Sequence, residues 1–289
     1  MKKIFLNILI ISLLLGLGSC NNIEVSKIND KGQMFPVYSL YYDIDSLLTN
    51  SQIGIEHNEY MDDVTNLASF PNHSLTDLFS LSQTYHPFFF SDSLITESGI
   101  NSQDFIDSII EYAHFENSLN DVAYFYYVNE VITGQAYDKL IELHEAINCS
   151  STFEQFDSGN IDSFLNSVCE IIISVNSLSI STFEKNLVRH TCEIAYYSSM
   201  YWLDVLHDEE NLWHEPVFSE AYQDPNPWWK KVLIGTARLT LDVVGFAAGT
   251  LGGYFGMSKI TANEAVCGTV GVTLGSICAK ETSSWIKQN

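Results

Sequence analysis

The residues best suited to chemistry fall in one short stretch, IGIEHNEYMDD, where His57, Asn58, Glu59, Asp62 and Asp63 stand together. An imidazole beside carboxylates can hold a metal or move a proton. A helical zinc site needs ligands three or four residues apart so that they share a face, and from His57 those positions hold Tyr60 and Met61. The spacing therefore predicts a polar helix start, with Asn58 or Glu59 near the cap. His190 and Glu193 do have neighbour spacing on a helix, but His190 lies in an apolar stripe, which predicts a core histidine bonded to a carboxylate. His207 and His214, set among Asp208, Glu209, Glu210 and Glu215, read as a solvated acidic loop with at most weak affinity for a divalent cation. A G-x-S-x-G elbow, a G-x-x-x-x-G-K phosphate loop and an H-E-x-x-H pair are all missing. These patterns predict no cofactor, no bound metal and no catalytic residue. His57, Asn58, Glu59, Asp62, His190 and Glu193 are the weak candidates for a polar site.

The elements that would position these residues are helical. Asn160 precedes Ile161, Phe164, Leu165, Val168, Ile171, Ile172 and Val175, an apolar stripe at 3.6-residue spacing behind a capping residue. Ser181 with Glu184 three residues on forms a capping box, and Phe183, Leu187, Ile194, Tyr197, Tyr201 and Val205 then share one face. Residues 101–114, 118–132 and 133–147 read the same way, with Gly134 and Gly159 near the breaks. Prolines gather at Pro216, Pro225 and Pro227, marking a linker. The expected class is all-α. It comprises an acidic helix bundle over 36–210, a linker over 211–227 and a basic, glycine-rich helical hairpin over 228–289.

The hairpin is read from DVVGFAAGTLGGYFGM, where Gly245, Gly249, Gly252 and Gly256 recur at steps of four, three and four. Gly268, Gly271 and Gly275 repeat the device. Such lines let helix backbones touch. Since each glycine costs a helix up to about 1 kcal/mol against alanine, aligned glycines imply a packed partner rather than a helix surrounded by water. Each apolar run is only about fifteen residues, roughly 22 Å, against about 30 Å of hydrocarbon. A spanning helix would have to bring Arg238 and Asp242, four apart, into the membrane as a pair.

Charge separates the two parts. The whole chain carries −23, and between Cys20 and Pro227 five basic residues face thirty-three acidic ones. From Trp228 onward six basic residues face three acidic ones. An acidic body repels polyanions, which argues against nucleic-acid binding. The basic, apolar tail is drawn either to that body or to anionic lipid.

The chain opens MKKIFLNILIISLLLGLGSC, a basic start followed by an apolar run and small residues, the pattern of a secretory signal over 1–19. Leu17, Gly18, Ser19 and Cys20 resemble the lipobox of bacterial lipoproteins, which implies acylation of Cys20, a flexible tether over 20–35 and attachment to a membrane through that lipid. Each buried methylene contributes about 0.8 kcal/mol, so two or three chains anchor durably. Asn21 stands where lipoproteins kept at the inner membrane usually carry Asp, so the resemblance implies the outer membrane, with the body facing the periplasm. His57-Asn58-Glu59 with Met61-Asp62, Ser198-Ser199-Met200-Tyr201-Trp202 and a glycine-rich end together resemble uncharacterised exported lipoproteins of Gram-negative bacteria, a family that implies no activity. With Cys20 lipidated, Cys149, Cys169, Cys192, Cys267 and Cys278 remain. A disulfide among the first three is geometrically open, as is burial of all three as small apolar residues.

The expected function is that of a cell-envelope lipoprotein whose helical body binds or assembles with an unspecified ligand or protein partner. Two alternatives stay open. One is a membrane-active or toxin-like protein, because Trp228-Trp229-Lys230-Lys231 precedes the glycine-rich segment; the other is a metal-dependent hydrolase built on His57 and His190.

Overall fold

The structure is a computed structural model that describes residues 27–28, 34–35, 44–48, 53–68, 70, 118–218, 231–232, 235–236, 238–240 and 242–247. The fold is all-α, a helix bundle. Its helices are α1 (Ile44–Leu48), α2 (Ile53–Val64), α3 (Leu119–Val128), α4 (Gly134–Ile147), α5 (Ser150–Ser158), α6 (Asp162–Ser177), α7 (Thr182–His207) and α8 (His214–Phe218). A two-residue antiparallel pairing, Lys27–Ile28 with Met34–Phe35, lies in the stretch expected to be a tether and is too short to alter the class. Cys20, the 101–114 segment, Cys267, Cys278 and the glycines Gly249, Gly252, Gly256, Gly268, Gly271 and Gly275 lie outside the described residues.

Local chemistry sets the helix ends. Ser118 and Asp121 close a capping box on α3, and Ser181 and Glu184 close another on α7, each satisfying two amides that the first turn leaves without a helical partner. Glu184 also accepts from the Thr133 amide at 2.6 Å, tying the start of α7 to the start of α4. The cap of α6 sits one residue later than the stripe predicts: Ile161 holds the cap position, while the Asn160 side chain accepts from the Asp162 amide at 3.1 Å. Gly159 ends α5 with φ +73°, a left-handed conformation that glycine adopts without a side-chain clash.

Two further expectations change in the structure. α2 begins at Ile53, so His57, Asn58 and Glu59 sit in mid-helix rather than near its cap. α7, 26 residues long, is buried on more than the single face its stripe predicts: Val188, Cys192, Ala195, Ser198, Ser199, Trp202 and Leu206 are inside as well. The cause is its central place, packed by α2, α4, α6 and α8. The tail closes part of what remains, since Val232, Leu239, Val243, Val244, Phe246 and Ala247 belong to the same apolar core as the body. Tyr126 of α3 donates its hydroxyl to the Ala247 carbonyl. Where the sequence marks a linker, Trp213 is buried and donates Nε1–H to the Met61 carbonyl at 2.9 Å.

Cys169 and Cys192 are free and buried, whereas Cys149 is disulfide-bonded. No disulfide therefore joins any two of Cys149, Cys169 and Cys192. Among the described residues no helix is long and apolar enough to cross a membrane.

Candidate functional site

A carboxylate from the tail organises the polar interior. Asp242 is 1% exposed, and its Oδ2 collects two hydrogen bonds and one ion-pair contact. Ser198 Oγ donates to it at 2.5 Å and Trp202 Nε1 at 2.6 Å, while His57 Nε2 stands 3.6 Å away. Ser198 and Trp202 are four residues apart on α7, so the helix itself aims both at one point. His57 reaches the same point from α2. Arg238, one turn before Asp242, is buried with its guanidinium carbon 5.4 Å from the centre of the Trp202 ring, within the range of a cation–π contact.

The surroundings of His57 dictate its charge. Asn58 donates Nδ2–H to the Tyr197 carbonyl at 3.1 Å, which turns its Oδ1 toward His57 Nδ1, also at 3.1 Å. The other ring nitrogen faces the Asp242 carboxylate. Both nitrogens thus meet acceptors, an arrangement only the doubly protonated imidazolium satisfies. Burial pushes the His57 pKa down, but the Asp242 carboxylate 3.6 Å from Nε2 and the Asn58 oxygen on Nδ1 outweigh it, leaving it above the ordinary 6.5.

The remaining candidates take separate places. Asp62 accepts the Tyr201 hydroxyl at 2.9 Å; burial first, then the Asp62 charge and hydrogen bond, hold that phenol protonated well beyond its ordinary range. Glu193 accepts from the Gly54 amide at 2.9 Å. His190 is buried, and burial followed by the Arg189 charge lowers its pKa to about 4, so it is neutral at physiological pH. Glu59 is exposed. Among the described residues no three His, Cys, Asp or Glu side chains gather as a metal ion would require.

The cluster is not arranged for nucleophilic catalysis. Ser198 gives its proton to the carboxylate rather than to the imidazole, and a general base must reach the hydroxyl it activates. Its geometry instead fastens the tail to α2 and α7. His57 and Asp242 come from distant parts of the chain, so spacing along one helix does not pair them. A signal was present, since two opposite charges four apart in an apolar stretch must find buried partners.

Compared with protein-family models, with characterised proteins and with solved structures, the chain matches none.

Proposed function

We propose that the chain is a cell-envelope lipoprotein, held at the outer membrane through acyl chains on Cys20 and facing the periplasm. Its acidic helical body is a binding or assembly module, and its tail is part of that body. The observation that carries the non-enzymatic reading is the burial of the polar cluster: His57, Ser198 and Asp242 are at most 1% exposed, whereas a catalytic group has to meet its substrate. The core positions of Val232, Leu239, Val243 and Phe246 support a tail that spends its apolar surface on the body rather than on lipid. The signal-like start and the lipobox resemblance support the compartment.

Fractionation of cells carrying Cys20→Ser tests the anchor. The substituted protein is expected in the soluble fraction after a salt wash. Retention in the membrane pellet would show that the tail anchors the chain in its own right and would overturn this reading.

A further inference from the structure

We infer that the contact between His57 of α2 and Asp242 of the tail is a proton-controlled latch, closed while His57 carries its second proton and loosened when it loses it. The inference concerns only the docking of the tail and is independent of the lipid anchor.

Every neighbour of the His57–Asp242 pair has a defined role. His57 Nδ1 meets the Asn58 oxygen, and His57 Nε2 meets Asp242 Oδ2. From α7, Ser198 and Trp202 both direct their protons to that same Asp242 oxygen, leaving neither for the imidazole. Tyr201 of α7 feels the Asp242 charge and keeps its own proton on Asp62. Glu193 of α7 holds the Gly54 amide, one turn before His57 on α2. On the tail, Arg238 lies over Trp202 one turn before Asp242. Asp242 Oδ1 is buried and accepts no hydrogen bond from a described residue, so much of the compensation for this carboxylate falls on the single oxygen that His57 shares.

A neutral imidazole has one N–H for two acceptors. Once His57 loses its second proton, a buried lone pair must face either the Asn58 oxygen or the Asp242 carboxylate. Turning the Asn58 amide moves the conflict without removing it, because the amide oxygen would then face the Tyr197 carbonyl. The mismatch is relieved when Asp242 leaves, and Asp242 leaves with its helix. That movement uncovers Leu239, Val243 and Phe246, so the opened state presents an apolar surface that the closed state hides.

The direction of the pH effect follows from linkage. The His57 pKa is raised in the closed state, so its stabilising contribution is fully present below the ordinary 6.5 and is lost as pH rises through the raised value. Acidification tightens the latch and mild alkalinity loosens it.

Hydrogen exchange of amides 242–247 in the full-length protein, corrected for intrinsic rates and followed from about pH 6 to about pH 9, reads the opening constant directly. With one linked proton it is expected to rise by up to about tenfold per pH unit between the open-state and closed-state pKa values, then level off. His57→Gln, which cannot titrate, is expected to exchange at the wild-type alkaline level with no such slope. A wild-type opening constant that is flat over the range, or a slope that persists in His57→Gln, overturns the latch. If the variant fails to fold, nuclear magnetic resonance titration of the wild-type His57 ring still decides: a midpoint above 6.5 is expected, and one at or below 6.5 overturns the proposal.

Discussion

Replacing Gly54 with alanine tests how closely α2 and α7 must approach. A methyl carbon at Gly54 would stand 2.3 Å from Tyr197 Cδ2 and 3.0 Å from both Glu193 Cγ and the Glu193 carbonyl oxygen. Carbon atoms pack best at about 3.5 to 4 Å, so the Tyr197 ring would have to move by about 1 Å or more. That ring is only partly buried and can give way. The Glu193 carbonyl belongs to the backbone of the central helix and cannot move alone, so α2 is pushed outward and the 2.9 Å bond from the Gly54 amide to Glu193 lengthens. Overpacking of this kind costs about 1 to 3 kcal/mol. Alanine returns up to about 1 kcal/mol as the better helix former, so with the full return the net loss is about 0 to 2 kcal/mol. Gly134→Ala is the matched control, because its added methyl meets only Tyr127 Cε2 at 3.8 Å, an ordinary contact, and should be neutral or stabilising. Urea unfolding of both variants at one pH gives the comparison, read from midpoints at constant slope. Gly54→Ala as stable as Gly134→Ala would refute the close-contact argument.

Glu184 predicts a pH effect of the opposite sign to His57. Burial raises its pKa, but hydrogen bonds from the Ser181 hydroxyl and from the Thr133 and Ser181 amides outweigh that and bring it below its ordinary 4.5. Its contribution is therefore present above about pH 4.5 and lost as pH falls through the lowered value; Glu184→Gln should flatten that part of a stability profile measured by thermal melts. Among the thiols, burial pushes Cys169 up to about 11 and raises Cys192 still further. Mass spectrometry after alkylation of native, unreduced protein should find both unmodified, with labelling appearing only on denaturation, and Cys149 should stay protected until reductant is added. Native-state labelling of Cys192 would contradict its place in the core.

Interactions within a few residues were legible in the sequence. The Ser181–Glu184 capping box, the apolar stripe of α6, the helix ending at Ile147 and the stop at Gly159 all follow from contacts between near neighbours, which residue types and spacing specify directly. The all-α class follows from the sum of such segments. Periodicity says which face of a helix is apolar, but not which other element covers it, and that limit accounts for what was hidden. The stripe on α7 marked one face, while the helices around it buried several. His57 looked poor in partners because its carboxylate lies on the tail, and Ser198 and Trp202 stand 44 and 40 residues from that same Asp242. Gly54 shows the limit most sharply. The glycines of the tail draw the eye by their repetition, whereas a lone glycine has no period, and only the approach of Tyr197 and Glu193 from another helix reveals why a side chain is excluded there. Helix identity was decided locally by hydrogen bonding and capping; the pairing of helices, and with it every partner of Asp242 beyond its own turn, was decided by how buried charge and apolar surface are satisfied together in three dimensions.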